Sequence, residues 1–473
     1  MFQLNIKFST NIPAGERVSP CTSACTMKCM TVLKLFSYAL FLTILLSSPA
    51  TSVASSAMRA DLTHVDSGRG FTRWELLSRM KARSRARVAC LHQRGGHYGH
   101  PATASVAPGT VGEVGTEYLI HFGIGTPRPQ HVALTLDTGS DLVWTQCNSC
   151  QVCFNQPSPL FDPSASKTLY GVPCSDPICE GSSVSACYID NQGCFYLDSY
   201  GDNSITAGMI LRDTFTFKGA NGKGGTVVVP NLSFGCGLYN TGVYNTNESG
   251  IAGFGRGPQS LPSQLKVGKF SHCFTSMFDS NKSSAVFLGT PDDLRAHATG
   301  PIQSTPMKQN RVSPNNYYYL SLKGITVGET RLPINESAFA LKKDGSGGTI
   351  IDSGTGVTTF PQAVYEQLRS AFVAQVPLPA VNSSEDDLCF SVASVADAKK
   401  VYVPKLVFHL EGADMDLPRE NYMAVVNGSL CLVISGGVRE LTLIGNFQQQ
   451  NIHIVYDVEN NKLLFVPAQC DKL

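Results

Sequence analysis

The sequence predicts an all-β-dominated protein of two lobes built on one plan, with a cleft between them. Three observations lead there. The apolar run Ala133–Leu136 ends in Asp137-Thr138-Gly139-Ser140, and 215 residues after Asp137 the run TII ends the same way in Asp352-Ser353-Gly354-Thr355. Around each motif the chain echoes itself: EYLIHFGIG (Glu117–Gly125) and YYLSLKGITVG (Tyr318–Gly328) come before, Ile251-Ala252-Gly253 and Leu443-Ile444-Gly445 come after. Each apolar-apolar-Gly element can pass close behind an Asp loop, because Gly has no side chain to obstruct it. The third observation is texture. With 43 Gly in 473 residues, short apolar runs are punctuated by Gly, Pro and Asn, and long helical patterns are few.

A chain of this length exceeds the roughly 250–300 residues that one hydrophobic core organises, which agrees with two lobes. Charged residues are 15% and the formal net charge is +1, so overall charge makes no case for nucleic acid or an anionic membrane surface as partner. Leu35–Leu46 (LFSYALFLTILL) is an apolar run preceded by Lys34 and followed by small residues up to Ala57. It is shorter than the ~20 residues a membrane span needs, so it reads as a signal peptide rather than an anchor. Met30 offers an alternative start to Met1. No lipid-anchor tail follows Cys470, and the expectation is export, to the extracellular space or the vacuole, as a soluble monomer. In an oxidising compartment the twelve cysteines from Cys147 to Cys470 read as disulfides. A zinc site at Cys147, Cys150 and Cys153 is the rival, and no metal and no cofactor is expected.

Residues 1–57 are thus an N-terminal extension and signal peptide. Residues 58–111 are strongly basic, with Arg59, Arg69, Arg73, Arg79, Lys81, Arg83, Arg85, Arg87 and Arg94 against Asp61, Asp66 and Glu75. Trp74, Leu76, Leu77 and Met80 are spaced to share one side of a helix. A disordered basic linker is one reading; a removable segment that covers a carboxylate-lined cleft with cations is the other. Residues 112–305 form the first lobe and 306–473 the second. In the first, Leu197–Phe217 reads as a hairpin whose turn is Gly201-Asp202-Asn203-Ser204, with Tyr200 just before the tip. In the second, Pro361–Val373 is the one plausible helix. Asn231, Asn247, Asn281, Asn335, Asn382 and Asn427 stand in N-x-S sequons and are candidate glycosylation sites.

Two strands each ending in Asp-Thr/Ser-Gly-Ser/Thr resemble the paired signature of the pepsin-like (family A1) aspartic proteases. Cys147-x-x-Cys150-x-x-Cys153 with Cys174, Cys179, Cys187 and Cys194, GIAGFGRGPQSLPSQL and LIGNFQQQNIHIVYD are similar to the plant enzymes related to nepenthesin and nucellin. LTHVDSGRGF and LLSRMKARSRAR look like plant pro-segments. The resemblance implies a bilobal pepsin-like fold and a secreted endopeptidase made as a zymogen, with a polypeptide substrate in the interlobe cleft and its own pro-segment as autoinhibitor. Asp137 and Asp352 would be the catalytic dyad. Two carboxyls held close together cannot both ionise, so they share one proton: one acts as general base on a water, the other polarises the scissile carbonyl. That chemistry implies an acidic optimum.

Ser140 and Thr355 can hydrogen-bond the outer carboxylate oxygens, Thr138 and Ser353 can brace the two loops, and Gly139 and Gly354 allow the turns. Tyr200, Gly201 and Asp202 would belong to a flap over substrate, with Tyr200 bonded to Trp144. Here Asn203 replaces the Gly that related plant enzymes usually show. The implied bridges are Cys147–Cys150, Cys153–Cys236, Cys174–Cys194, Cys179–Cys187, Cys273–Cys470 and Cys389–Cys431. Plants also have proteins of this fold without peptidase activity that bind and inhibit glycosidases, and a catalytically silent binding module is the rival function. A serine or cysteine hydrolase is disfavoured, since there is no G-x-S-x-G and the cysteines look paired.

Overall fold

The computed structural model describes residues 57–94 and 117–473, except 181–184, 188–192, 201–203, 221–224, 243, 245–246, 280–281, 290–293, 313–316, 383–387 and 438–439. The expected leader, the stretch just before Glu117, the flap residues Gly201 and Asp202, and Asn281 therefore lie outside the described residues, as does the side chain of Asn382.

Two strands carry the internal symmetry. Gln130–Asp137 is buried at every position from Val132 onward, which is why it reads as a continuous apolar run rather than an alternating one. It lies parallel to Gly250–Gly253, with Gly253 beside Asp137, and Gly250–Gly253 also pairs antiparallel with Val143–Gln146. The second half repeats the arrangement. Thr349–Ile351 is parallel to Thr442–Ile444, with Ile351 beside Ile444, and Thr359–Pro361 flanks the latter. The closing glycines are demanded by close approach. A Cβ on Gly253 would stand 2.2 Å from the backbone carbon of Asp141, and one on Gly445 2.6 Å from the carbonyl oxygen of Gly356.

The lobes are tied by one sheet. Among the described residues it has fifteen strands, and strands from the C-terminal end, Ile452–Asp457 and Lys462–Pro467, continue it beyond Lys269–Cys273 of the first lobe. Met58–His64 is inserted into the same sheet between Ser284–Leu288 and Tyr118–Ile124, with Met58, Ala60, Leu62 and His64 facing inward. The basic N-terminal segment is therefore part of the folded body here. The hairpin expected at Leu197–Phe217 is present as Cys194–Ser199 antiparallel to Ile205–Gly219. The helix expected at Pro361–Val373 spans Gln362–Gln375 and buries Val364, Tyr365, Leu368 and Phe372 along one stripe.

Arg73–Arg94 is a second long helix. Thr72 and Glu75 start it with a reciprocal cap: the Thr72 amide donates to Glu75 Oε2 at 2.7 Å and the Glu75 amide donates to Thr72 Oγ1 at 3.3 Å. Its inward face is Leu77, Met80, Ser84, Arg87 and Val88, at the three- and four-residue spacing of one helical stripe. Trp74 corrects the expected grouping. It stands three residues before Leu77 but in the first turn of the helix, where it is 47% exposed, while Leu77 and Met80 are buried against Met277, Val357 and Phe447.

Four of the implied bridges are also corrected. The structure joins Cys147 to Cys236 and Cys150 to Cys153, not Cys147 to Cys150 and Cys153 to Cys236. The reason is register: Val143–Gln146 runs parallel to Thr226–Thr241 with Thr145 beside Cys236, which brings Cys147, two residues further along the same strand edge, to 5.5 Å from Cys236 between Cα atoms. Cys174 is joined to Cys187 and Cys179 to Cys194, not Cys174 to Cys194 and Cys179 to Cys187. Cys273 is joined to Cys470 and Cys389 to Cys431.

One core side chain carries a pH consequence. His272 is fully buried, stacks on Phe274 at 4.1 Å between ring centroids, and has no hydrogen-bond partner for either ring nitrogen. Burial, with His453 nearby, pushes its imidazole from 6.5 down to about 3. The unfolded chain therefore binds this proton first, and the ring costs stability as pH falls from 6.5 towards 3. Replacing His272 by Phe should stabilise the protein relative to wild type by about 3 kcal/mol more at pH 4 than at pH 7. Denaturant titrations at the two pH values measure this; an equal difference at both would exclude a titrating ring.

Candidate functional site

Asp137 and Asp352 each sit where a buried strand runs out, and both are fully buried. Their surroundings match atom for atom. Asp137 Oδ1 accepts from the Gly139 amide at 2.9 Å and Oδ2 from the Ser140 hydroxyl at 2.6 Å. Asp352 Oδ1 accepts from the Gly354 amide at 2.8 Å and Oδ2 from the Thr355 hydroxyl at 2.7 Å. The loops are cross-braced. Thr138 donates its amide to Ser353 Oγ at 3.0 Å, and Ser353 donates its amide to Thr138 Oγ1 at 2.9 Å.

The motif glycines are required by the opposite carboxylate as well as by the turn. A Cβ on Gly354 would lie 2.3 Å from Asp137 Oδ1, and one on Gly139 3.0 Å from Asp352 Oδ1. Residues 215 positions apart thus meet in one site. Tyr200 and Trp144 also come together: the Trp144 indole N–H donates to the Tyr200 hydroxyl at 2.9 Å. Burial pushes the Tyr200 phenol well above its usual range, so it stays a neutral hydroxyl.

The cleft is occupied by the helix Arg73–Arg94. Arg87 Nε donates to Asp352 Oδ2 at 2.8 Å, while Nη2 and Nη1 donate to Asp137 Oδ1 and Oδ2 at 2.6 and 3.2 Å. One planar guanidinium thus spans both carboxylates, a geometry its fork of donors suits. One turn earlier, the Ser84 hydroxyl accepts from the Val357 amide at 2.9 Å.

A second ionic group surrounds Arg83, which is 1% exposed. Its Nε donates to Glu117 Oε1 at 2.8 Å, Nη2 donates to Glu117 Oε2, and Nη1 donates to Asp66 Oδ2 at 3.0 Å. His64 Nε2 lies 3.1 Å from Glu117 Oε2, and Arg79 donates to Asp66 at 3.1 Å. Burial would raise the Glu117 carboxyl, but the Arg83 charge overrides it and holds the group at about 2. Glu248, 2% exposed, has neither carboxyl oxygen hydrogen-bonded, and burial pushes it up to about 7.

Sequence reasoning missed several of these. The cation that would reach the dyad was not singled out, and Glu117 was read only as the start of a strand. Asn446 and Gln449 were also passed over. Asn446 donates to the Ser353 carbonyl at 2.8 Å and Gln449 to the Asp352 carbonyl at 3.3 Å. Their position just past Leu443-Ile444-Gly445 was the available signal. Among the described residues no group of three or more His, Cys, Asp or Glu is placed to hold a metal, and no helix is long and apolar enough to cross a membrane.

Comparison with known proteins agrees with this geometry. Residues 118–290 match a family model described as xylanase inhibitor N-terminal, and residues 317–467 its C-terminal counterpart. Nepenthesin-1 of Nepenthes gracilis, an aspartic proteinase, is 41% identical over 414 residues, covering 86% of this chain and 89% of that protein. Aspartyl protease family protein 2 of Arabidopsis thaliana is 38% identical, covering 75% and 71%. Among solved structures, EDGP superposes with a TM-score of 0.64 at 18% identity, covering 89% of this chain and 97% of that one. Conglutin gamma from lupine seeds superposes at 0.59 with 20% identity, covering 74% and 91%; both show the fold alone. With these relatives and its two matched Asp loops, the chain belongs to the pepsin-like aspartic proteases, in their plant nepenthesin-like group.

Proposed function

We propose that this protein is an exported aspartic endopeptidase made as a zymogen, with residues 58–111 as its pro-segment. The observation that carries the reading is the matched pair of carboxylates, each oriented by one amide and one hydroxyl and both turned to a single guanidinium. With Arg87 withdrawn, the same oxygens can hold a water between them. One carboxyl takes the water's proton as it attacks the scissile carbonyl, the other donates to the carbonyl oxygen, and the leaving amine is protonated as the tetrahedral adduct collapses. The Trp144–Tyr200 bond supports the flap from beneath while substrate is enclosed.

Supporting latency, Arg87 and Ser84 fill positions that substrate and water would need. Export, to the extracellular space or the vacuole, follows from the leader and the disulfides. The polypeptide substrate would lie in the interlobe cleft; of the sequons, Asn231, Asn335 and Asn427 are exposed and suited to carry glycans. The rival is a binding module without peptidase activity. It is favoured by the description of the matching family models as xylanase inhibitor domains, and opposed by the complete set of hydrogen bonds around both carboxylates.

The test shifts the secreted precursor from neutral pH to about pH 4 in the presence of a quenched peptide, with and without pepstatin. Loss of the pro-segment, peptide cleavage and block by pepstatin are expected. A folded, processed protein that cleaves no member of a broad peptide set would overturn the peptidase reading in favour of the binding module.

A further inference from the structure

Resting on the peptidase reading, we propose that Glu117 forms a subsite for a basic substrate side chain, arginine best, two or three residues from the scissile bond. Arg83 shows what the subsite takes. Its guanidinium is held by both oxygens of Glu117, a paired geometry that a lysine ammonium cannot reproduce. The two basic side chains that contact Glu117, Arg83 and His64, both belong to the segment expected to leave. Its departure strips Glu117 of every positive partner the structure gives it.

Glu117 is also at the cleft rather than beside it. A Cβ on Gly356, the residue after Thr355, would lie 3.2 Å from Glu117 Oε1, and the same point is 2.8 Å from the Ser84 hydroxyl. The carboxylate therefore borders the loop that carries Asp352. The spacing follows from the helix. Arg83 precedes the dyad-bound Arg87 by four residues, about 6 Å of helix rise, which an extended peptide covers in about two residues.

A second carboxyl points to the same ligand. Glu248 is buried with both oxygens unpartnered, and Arg83 and Arg69 are the cations whose fields reach it. Asp66 leaves with the pro-segment, so of the carboxylates that hold the Arg83 guanidinium Glu117 is the one that stays. Since Glu117 stays ionised to about 2 with a guanidinium bound, the preference would operate at acidic pH.

The experiment uses the processed wild-type protein and pairs of quenched peptides that differ only in arginine against citrulline, its neutral isostere. The substitution is scanned through the positions two and three residues from the cleaved bond, on both sides. Cleavage of the arginine peptide at one of these positions should be at least tenfold more efficient in kcat/KM. Glu117→Gln should remove that advantage, so that the arginine and citrulline peptides are cleaved with equal efficiency by the variant, and Glu117→Asp should keep part of it. Equal cleavage of both peptides by the wild type overturns the subsite and leaves the peptidase reading standing; this arm needs no variant to fold. If neither peptide is cleaved, the peptidase reading fails instead. Fluorescence anisotropy then decides the subsite: tenfold tighter binding of the arginine peptide, lost in Glu117→Gln, supports it, and equal binding overturns it.

Discussion

Asp137→Asn and Asp352→Asn are each expected to lower peptide hydrolysis by about 10⁴-fold, the upper end of what one positioned acid–base group contributes. Asn keeps the shape and one acceptor oxygen, so the Gly139 or Gly354 amide can still be satisfied and the loop should hold its course. What disappears is the ability to take or give a proton at that position. Neither partner can compensate, because each is used in a different protonation state at the same moment. The measurement is kcat/KM on a quenched peptide, with near-UV circular dichroism to confirm folding. The variants cannot process themselves, so trace wild-type enzyme should remove the pro-segment before assay. A variant retaining more than a hundredth of wild-type activity would rule out the dyad as the acid–base pair.

Arg87→Gln should weaken the grip of the pro-segment by about two to four orders of magnitude. Arg87 is 16% exposed and faces two fully buried carboxylates, so removing it leaves both without a cation beneath the helix. Breaking such a buried pair by deleting one partner costs about 3–5 kcal/mol, much of it the penalty of the stranded charge. A synthetic peptide of residues 58–94 added to the processed enzyme isolates the effect, since its inhibition constant can be compared with that of the same peptide carrying Arg87→Gln. Arg87→Lys should fall between them, as an ammonium cannot span both carboxylates with a fork of donors. Equal inhibition by all three would mean that Arg87 does not hold the segment. In the precursor the same change should raise the pH at which the segment is shed.

Much of the site was legible in the linear text because repetition is a strong signal. Asp137 and Asp352, their hydroxyl neighbours and both apolar-apolar-Gly elements are each local patterns, and each local pattern has a local cause: a buried strand, a turn, or a backbone passing close behind. Trp144 and Tyr200 could be paired only through the family resemblance, since 56 residues separate them. Glu117 and Arg83 had no such signal. A Glu before a strand and an Arg in a basic run are each ordinary until folding sets them side by side.

The sequence by itself determined the two-lobe plan, the paired Asp loops and the hairpin at Leu197–Phe217, because strand periodicity and turn chemistry act over a few residues. Tertiary structure decided the rest. Strand register chose the partner of Cys147, and the folded course of the chain those of Cys174, Cys179 and Cys194, because a disulfide needs two Cα atoms within about 7 Å and spacing along the chain does not report that distance. Packing of one helical stripe put Arg87, among nine basic residues of its segment, between the carboxylates. Contacts across long loops depend on where whole sheets come to rest, and no window of neighbouring residues contains that information.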